Sequence, residues 1–166
     1  TMNQVAIIMG SASDAPLAKE ALAVFREFGV PAKLRVLSAH RSPEQTAAFA
    51  KGAADEGYGV ILAIAGKAAH LAGVVASHTR LPVIGVPVRS SDLGGLDALL
   101  STAQMPKGVP VACVAIDGAA NAALLAIRIL ALSDEALSEQ LNQYMRALAA
   151  KTAEADAALQ KEIEAL

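Results

Sequence analysis

Short apolar runs rich in β-branched residues alternate with longer stretches whose apolar residues recur at helical spacing, five times along the chain. That alternation predicts a parallel α/β sheet, because successive parallel strands need a crossover between them and a helix supplies it. Val5-Ala6-Ile7-Ile8-Met9 reads as the first strand, stopped at Gly10. Residues 15–28 carry Leu17, Ala21, Val24, Phe25 and Phe28 on one helical face, closed by Gly29 as a C-cap. Pro31 to Leu37 reads as the second strand. Ser42, Pro43 and Gln45 then have the spacing of a capping box that opens a helix to about Glu56. Gly59 to Ala65 is continuously apolar, as in a strand buried on both faces. A helix from about Ala68 to Ser77 leads to a fourth strand over Leu81–Val86, and a further helix covers Leu96–Ala103. A fifth strand over Val109–Ile116 and a nearly all-apolar helix over Asn121–Leu132 complete the pattern.

Five strands in 166 residues suit a flavodoxin-like order, 2-1-3-4-5, inside a three-layer αβα sandwich. Residues 1–133 are assigned to this domain and 134–166 to a C-terminal helical tail. In the tail Leu137, Leu141, Tyr144, Leu148, Ala155, Leu159 and Ile163 form one apolar stripe opposite Glu, Lys, Arg and Gln. Such a helix packs on its own domain or a neighbouring subunit, or else serves as a dedicated partner-binding element. The chain is 54% hydrophobic and only 18% charged, and its 38 alanines pack closely, so surplus apolar surface is expected to be covered by further copies.

Several function classes are disfavoured at once. A net charge of −2 offers no basic field for a phosphate backbone, so no nucleic-acid partner is expected. The single cysteine, Cys113, excludes an internal disulfide and any Cys-cluster metal site, and its mid-strand position predicts a buried, inert thiol. No apolar stretch approaches the roughly 20 residues of a membrane span. Thr1-Met2-Asn3-Gln4 puts no basic segment before the first apolar run, so no signal peptide is expected and the cytoplasm is the expected compartment.

In an open parallel sheet, ligands bind beyond the carboxyl ends of the strands, near the switch in strand order. Three loops therefore belong together: Gly10-Ser11-Ala12-Ser13-Asp14, Ser38-Ala39-His40-Arg41-Ser42-Pro43, and Ala65-Gly66-Lys67-Ala68-Ala69-His70-Leu71-Ala72-Gly73. In the first, Gly10 permits a sharp turn, Ser11 and Ser13 offer hydroxyls, and the next helix offers free N–H groups to a phosphate. Asp14 is placed to accept from a sugar hydroxyl. Ordinary helix-start chemistry explains the same residues. In the second loop, His40 has the side chain best suited to proton transfer near neutral pH, and Arg41 can fork onto a phosphate or carboxylate. A purely structural His40 is the competing reading. In the third, Gly66 and Gly73 flank His70, Lys67 adds a positive charge, and His70 reads first as a packing or loop-bonding residue. His78 lies at a helix C-terminus, where a cation is favoured by the dipole alone. Three histidines without carboxylates at ligand spacing make no metal site.

With these loops in view the chain resembles the PurE family, in particular its class I branch, the N5-carboxyaminoimidazole ribonucleotide mutases. The resemblance spans about residues 4–132 and rests on Ile8-Met9-Gly10-Ser11-Ala12-Ser13-Asp14, Ser38-Ala39-His40-Arg41, Ala68-Ala69-His70-Leu71 and Leu81-Pro82-Val83-Ile84-Gly85-Val86-Pro87-Val88. Leu99-Leu100-Ser101, Gln104-Met105-Pro106-Lys107-Gly108-Val109-Pro110-Val111 and Asn121-Ala122-Ala123-Leu124-Leu125-Ala126 follow in the family's order. The resemblance implies a cofactor-free isomerase of purine biosynthesis that moves a carboxylate from N5 to C4 of aminoimidazole ribonucleotide by way of CO2. It implies His40 as general acid and base, and Ser11, Asp14 and Arg41 as ribonucleotide contacts. Ser13, Ser38, Gly66, Lys67, Ala68 and His70 line the same site by analogy, and a homo-octamer is implied. Lys67 stands where the family pattern has Gly, Ala72 where it has Pro, Ser42 for Thr and Ala98 for Ser, and the loop after the fifth strand is short. A lysine at 67 would crowd a CO2 pocket, pair with the migrating carboxylate, or point outward.

Direct carboxylation of aminoimidazole ribonucleotide, the class II activity, is the nearest rival, against which Ser-Ala-His-Arg and Ala-Ala-His argue. A non-catalytic ribonucleotide binder on the same fold is another. A flavin site lacks aromatics at the strand ends, and a phospho-receiver lacks an Asp after the third strand, where Ala65-Gly66 stands.

Overall fold

The computed structural model describes residues 4–166, and the reading of residues 1–3 as part of a leaderless start lies outside them. Five parallel strands form one sheet: β1 (Gln4–Met9), β2 (Ala32–Val36), β3 (Tyr58–Gly66), β4 (Val83–Val88) and β5 (Ala112–Cys113). Their order is β2-β1-β3-β4-β5, the flavodoxin-like arrangement expected from the sequence. The intervening helices are α1 (Ala15–Glu27), α2 (Pro43–Gly52), α3 (Leu71–His78), α4 (Leu96–Ala103) and α5 (Ala119–Ala131). A long helix, α6 (Glu135–Glu164), ends the chain.

The apolar strands form the core for the reason their composition suggested. Val5, Ile7, Ile8, Val60, Ile61, Leu62 and Ile64 have no exposed surface. Each side chain buried so completely contributes roughly 1.5–3 kcal/mol of apolar transfer. On one face Ala6 and Ile8 lie opposite Ile61 and Ala63 in register. Phe49, Ala50 and Ala53 cover them beside Leu71, Ala72 and Val75 of α3. Gly85 in β4 is needed for this packing, since a Cβ there would overlap Thr102 Cγ2 of α4 and come within 3.2 Å of Ala72 Cβ. Gly29 adopts φ +66 and ends α1 as the sequence suggested, its N–H donating to Arg26 O at 3.2 Å.

Five local expectations need correction. The fifth strand is two residues long instead of Val109–Ile116, because Pro110 and, in the neighbouring strand, Pro87 have no N–H to give to the ladder. The capping box at Ser42 does not form. Its Oγ turns back instead, donating to Ser38 O at 3.1 Å and accepting from Ser38 N at 3.0 Å. Helix α2 ends at Gly52, short of Glu56, in turns that finish at Gly57 with φ +86 and deliver the buried Tyr58 into β3. The third helix begins at Leu71 and not Ala68, because Lys67 takes a left-handed φ of 55° and two tight turns follow, Ala69 N to Lys67 O and His70 N to Ala68 O. Cys113 is half-buried in place of fully buried, since its strand is a short edge, although burial still raises its thiol above the usual value.

The chain divides into two compact units, one ending at Leu130 and the other spanning Ala131–Leu166. In the second, Asp134 Oδ1 caps α6 by accepting from Leu137 N at 3.0 Å. Leu137 and Leu141 are buried, whereas Leu148, Leu159 and Ile163 of the same stripe remain about half exposed. Among the described residues no helix is long and apolar enough to cross a membrane.

Candidate active site

Strand order reverses between β1 and β3, and the loops at that end of the sheet enclose a cavity of about 510 Å³. Ser11, Ser13, Asp14, Ser38, His40, Arg41, Gly66, Lys67 and Ala68 all line it, so loops distant in sequence are brought together. His70 does not reach the lining but meets His40 directly.

The first loop is held by its own hydroxyls. Ser11 Oγ accepts from Ser13 N at 3.3 Å and meets Ser13 Oγ at 2.9 Å, forming a short 3-10 turn, Ala12–Asp14, ahead of α1. Gly10 has no left-handed φ, and an added Cβ would find only Ala65 Cβ at 4.0 Å. A sharp turn is therefore not what requires glycine there, and its missing side chain leaves the cavity wall open. Gly10 N donates to Ile64 O at 3.1 Å, tying this loop to β3. Asp14 is half-buried, and burial raises its carboxyl above the usual value of 3.8, partly opposed by a backbone hydrogen bond at Ser11.

The second loop is a closed hydrogen-bonded turn. Ser42 N donates to Ser38 O, Arg41 N to Ser38 Oγ at 3.1 Å, and Thr46 Oγ1 to Ser42 O at 2.9 Å. The Arg41 guanidinium crosses to the first loop, donating through Nη2 to Gly10 O at 2.9 Å. Its remaining donors stay available to an anion. His40 Nε2 lies 2.9 Å from His70 Nδ1, with the rings edge to face at 87°. Two imidazole nitrogens at that distance share one proton, so one ring donates and the other accepts. His70 is thus a loop-bonding residue, as its sequence context suggested, but the group it bonds is the candidate catalytic histidine.

In the third loop Lys67 Nζ forms an ion pair with Asp92 Oδ2 at 2.9 Å, and both side chains are largely exposed. Of the three roles open to it, the structure shows this lysine reaching to the loop after β4 at the cavity rim. Asp92 holds the Lys67 ammonium above its usual value, and the lysine holds the Asp92 carboxyl below its own. Val88, Arg89, Ser90 and Ser91 also line the cavity, and sequence reasoning, confined to three loops, missed them. The polar run Arg89-Ser90-Ser91-Asp92 at the carboxyl end of a parallel strand was the signal available. Asp117, with φ 59°, fixes this segment by accepting from Arg89 N at 2.8 Å. Ser90 Oγ is buried without a hydrogen-bond partner. No group of three or more His, Cys, Asp or Glu side chains able to hold a metal occurs among the described residues.

The site therefore combines a hydrogen-bonded pair of imidazoles, serine hydroxyls, one half-buried carboxylate and a guanidinium around a space large enough for a mononucleotide. Comparison with known proteins agrees with that inventory. A family model described as AIR carboxylase matches residues 4–151. The N5-carboxyaminoimidazole ribonucleotide mutase of Pyrococcus horikoshii is 55% identical over 150 residues, which cover 90% of this chain and 85% of that protein. The chloroplastic phosphoribosylaminoimidazole carboxylase of Vigna aconitifolia is 55% identical over 137 residues, covering 82% of this chain but only 25% of that longer protein. The crystal structure of Treponema denticola PurE superimposes with a TM-score of 0.86 at 32% identity, covering 93% of this chain and 96% of that one. A match over most of the chain to that family's model, and to relatives at this identity, means that the chain belongs to the AIR carboxylase, or PurE, family.

Proposed function

We propose that this protein is an N5-carboxyaminoimidazole ribonucleotide mutase, an isomerase of purine (IMP) biosynthesis that moves a carboxylate from N5 to C4 of the aminoimidazole ring. The observation that carries the mechanism is the His40–His70 contact of 2.9 Å at the wall of a ribonucleotide-sized cavity. Protonation of N5 lets the carbamate C–N bond break with its electron pair going to nitrogen, releasing CO2 into the cavity. The electron-rich C4 then attacks CO2, and loss of the C4 proton restores the aromatic ring. One proton enters and one leaves, so a single imidazole that gives the first and takes the second ends the cycle as it began. His40 fills that role, with His70 orienting its ring. His40 Nε2 is engaged by His70, which leaves Nδ1 to the substrate unless the ligand displaces His70.

Ser11, Asp14 and Arg41 hold the ribonucleotide, and Ser13, Ser38, Gly66, Lys67, Ala68 and His70 complete the site. Holding CO2 next to C4 replaces a bimolecular encounter with an intramolecular one, which removes up to roughly 7–11 kcal/mol of barrier. A homo-octamer in the cytoplasm is the proposed state, with residues 1–133 as the catalytic domain and 134–166 as a helix covered by its own or a neighbouring subunit. Half-exposed Val36, Leu148, Leu159 and Ile163 support a surface covered in an assembly.

A second reading is direct carboxylation, favoured by the relatives named carboxylases, such as those of Vigna aconitifolia and Saccharomyces cerevisiae. Supplying the N5-carboxy ribonucleotide in one arm, and aminoimidazole ribonucleotide with bicarbonate in the other, separates the two by the absorbance change on conversion. Preferred turnover in the second arm at ordinary bicarbonate would replace the mutase assignment.

A further inference from the structure

We propose that Ser101, on α4 and outside the cavity, is a positioning residue that sets the geometry of the His40–His70 pair. Its Oγ accepts the N–H of Ala69 at 3.1 Å and lies 2.7 Å from Asp97 O. Ala98 O and Lys67 O stand farther off, at 3.4 and 3.5 Å. A hydroxyl has one proton to give, and the shortest acceptor, one helical turn back, receives it. The oxygen's lone pairs then face Ala69.

Ala69 is 1% exposed, so water cannot serve its N–H. Its other acceptor, Lys67 O at 2.8 Å, is only two residues back, so that bond ties Ala69 to its own turn and to nothing else in the fold. Ser101 therefore supplies the acceptor that ties Ala69 to α4, 32 residues away in sequence. The following residue is His70, whose backbone N–H closes a second tight turn on Ala68 O at 2.9 Å, and whose ring meets His40. Helix α4 is itself fixed by the burial of Ala98 and Thr102. Placement thus passes from α4 through Ser101 to Ala69, His70 and His40. Serine is a weaker helix former than alanine at a mid-helix position, so helix formation alone gives no reason for it here.

The kinetic part of this inference rests on the mutase reading, and the spectroscopic part does not. Ser101→Ala and Ser101→Thr are compared with the unmodified protein by ring 15N NMR of His40 and His70, by melting temperature, and by kcat and KM for the N5-carboxy ribonucleotide. Ser101→Ala is expected to move the Nε2 resonance of His40 and the Nδ1 resonance of His70 while the protein remains folded. It is also expected to lower kcat roughly 10- to 100-fold with KM within about twofold, as small misplacements of reacting groups do. Ser101→Thr, which keeps the hydroxyl, is expected to restore both. Unmoved resonances in folded Ser101→Ala overturn the proposal, as does an unchanged kcat in a protein that does turn over, or a failure of folded Ser101→Thr to restore. Should the unmodified protein show no mutase turnover, the functional reading falls and the ring resonances alone decide the role of Ser101. If Ser101→Ala does not fold, Ser101→Cys, with a weaker acceptor, replaces it and is held to the same outcomes.

Discussion

Gly85→Ala tests the packing that holds the site's supporting helix. The added Cβ would overlap Thr102 Cγ2 and stand 3.2 Å from Ala72 Cβ and 3.3 Å from Val111 Cγ1, so neighbours on three sides resist it. Gly85 is in mid-strand, paired with Ala63 on one side and Cys113 on the other, and β4 cannot move away without straining two ladders. The strain therefore falls on α4. Overpacking of a close-packed interior costs typically about 1–3 kcal/mol, and a site confined this way belongs at the upper end, about 2–3 kcal/mol. Urea denaturation measures the loss, with the m-value checked for constancy. Thr102→Ser removes the overlapping methyl, so the double variant Gly85→Ala/Thr102→Ser is expected to recover at least about 1 kcal/mol beyond additivity. Because α4 carries Ser101, turnover is expected to fall together with stability and to return in the double variant. A Gly85→Ala protein with an unchanged urea midpoint, or a double variant with strictly additive losses, would refute this account of the α4 contact.

Other variants test the site itself. His40→Ala is expected to retain ribonucleotide binding while kcat drops by about 10²–10⁴, the usual contribution of a general acid–base; equal turnover in steady-state assays removes His40 from the mechanism. Asp14 has a carboxyl raised by burial, so the folded state binds its proton more tightly than the unfolded chain does. Stability from this group is complete below the ordinary value of 3.8 and is lost as pH rises through the raised one. Asp14→Asn is therefore expected to melt higher than the parent at pH 7 and alike at pH 3, by an amount under about 1 kcal/mol for a half-exposed group, while binding ribonucleotide more weakly. A parent that gains stability relative to Asp14→Asn between pH 4 and 7 contradicts the sign. Lys67→Gly and Asp92→Asn separate a substrate-binding lysine from a mere bridge at the rim. If the ammonium meets substrate carboxylate, Lys67→Gly raises KM roughly 3- to 10-fold and Asp92→Asn, which frees the lysine, lowers it. KM changes of the same sign in both variants assign the pair to bridging alone.

The fold was legible because its signals are local. A continuous apolar run such as Val60–Ile64, bounded by Gly59 and Gly66, suits a strand covered on both faces, and the order 2-1-3-4-5 suits five strands in a chain of this length. The errors fall where a neighbour in space decides. Val109–Ile116 does carry one local warning, Pro110, but nothing in it reveals that the strand beside it carries Pro87, the second residue with no N–H for the ladder. Ser42 has every property of a helix cap, yet its hydroxyl is taken by Ser38, because the loop that presents His40 and Arg41 closes on itself first.

The site divides along the same line. Which loops gather was readable from the rule that ligands bind at the carboxyl ends of parallel strands, and the chemistry of Ser11, Asp14, His40 and Arg41 made them candidates beside ordinary cap and structural readings, with their roles coming from the family resemblance. How those residues are aimed was not readable, since each aiming contact joins loops far apart in the chain: Arg41 to Gly10, His40 to His70, Lys67 to Asp92, Ala69 to Ser101. No periodicity encodes such pairs, and His70 illustrates the consequence. As a lone histidine in a glycine-flanked loop it reads as packing, and only its 2.9 Å approach to His40 shows that the group it bonds is one ring nitrogen of the candidate catalytic imidazole.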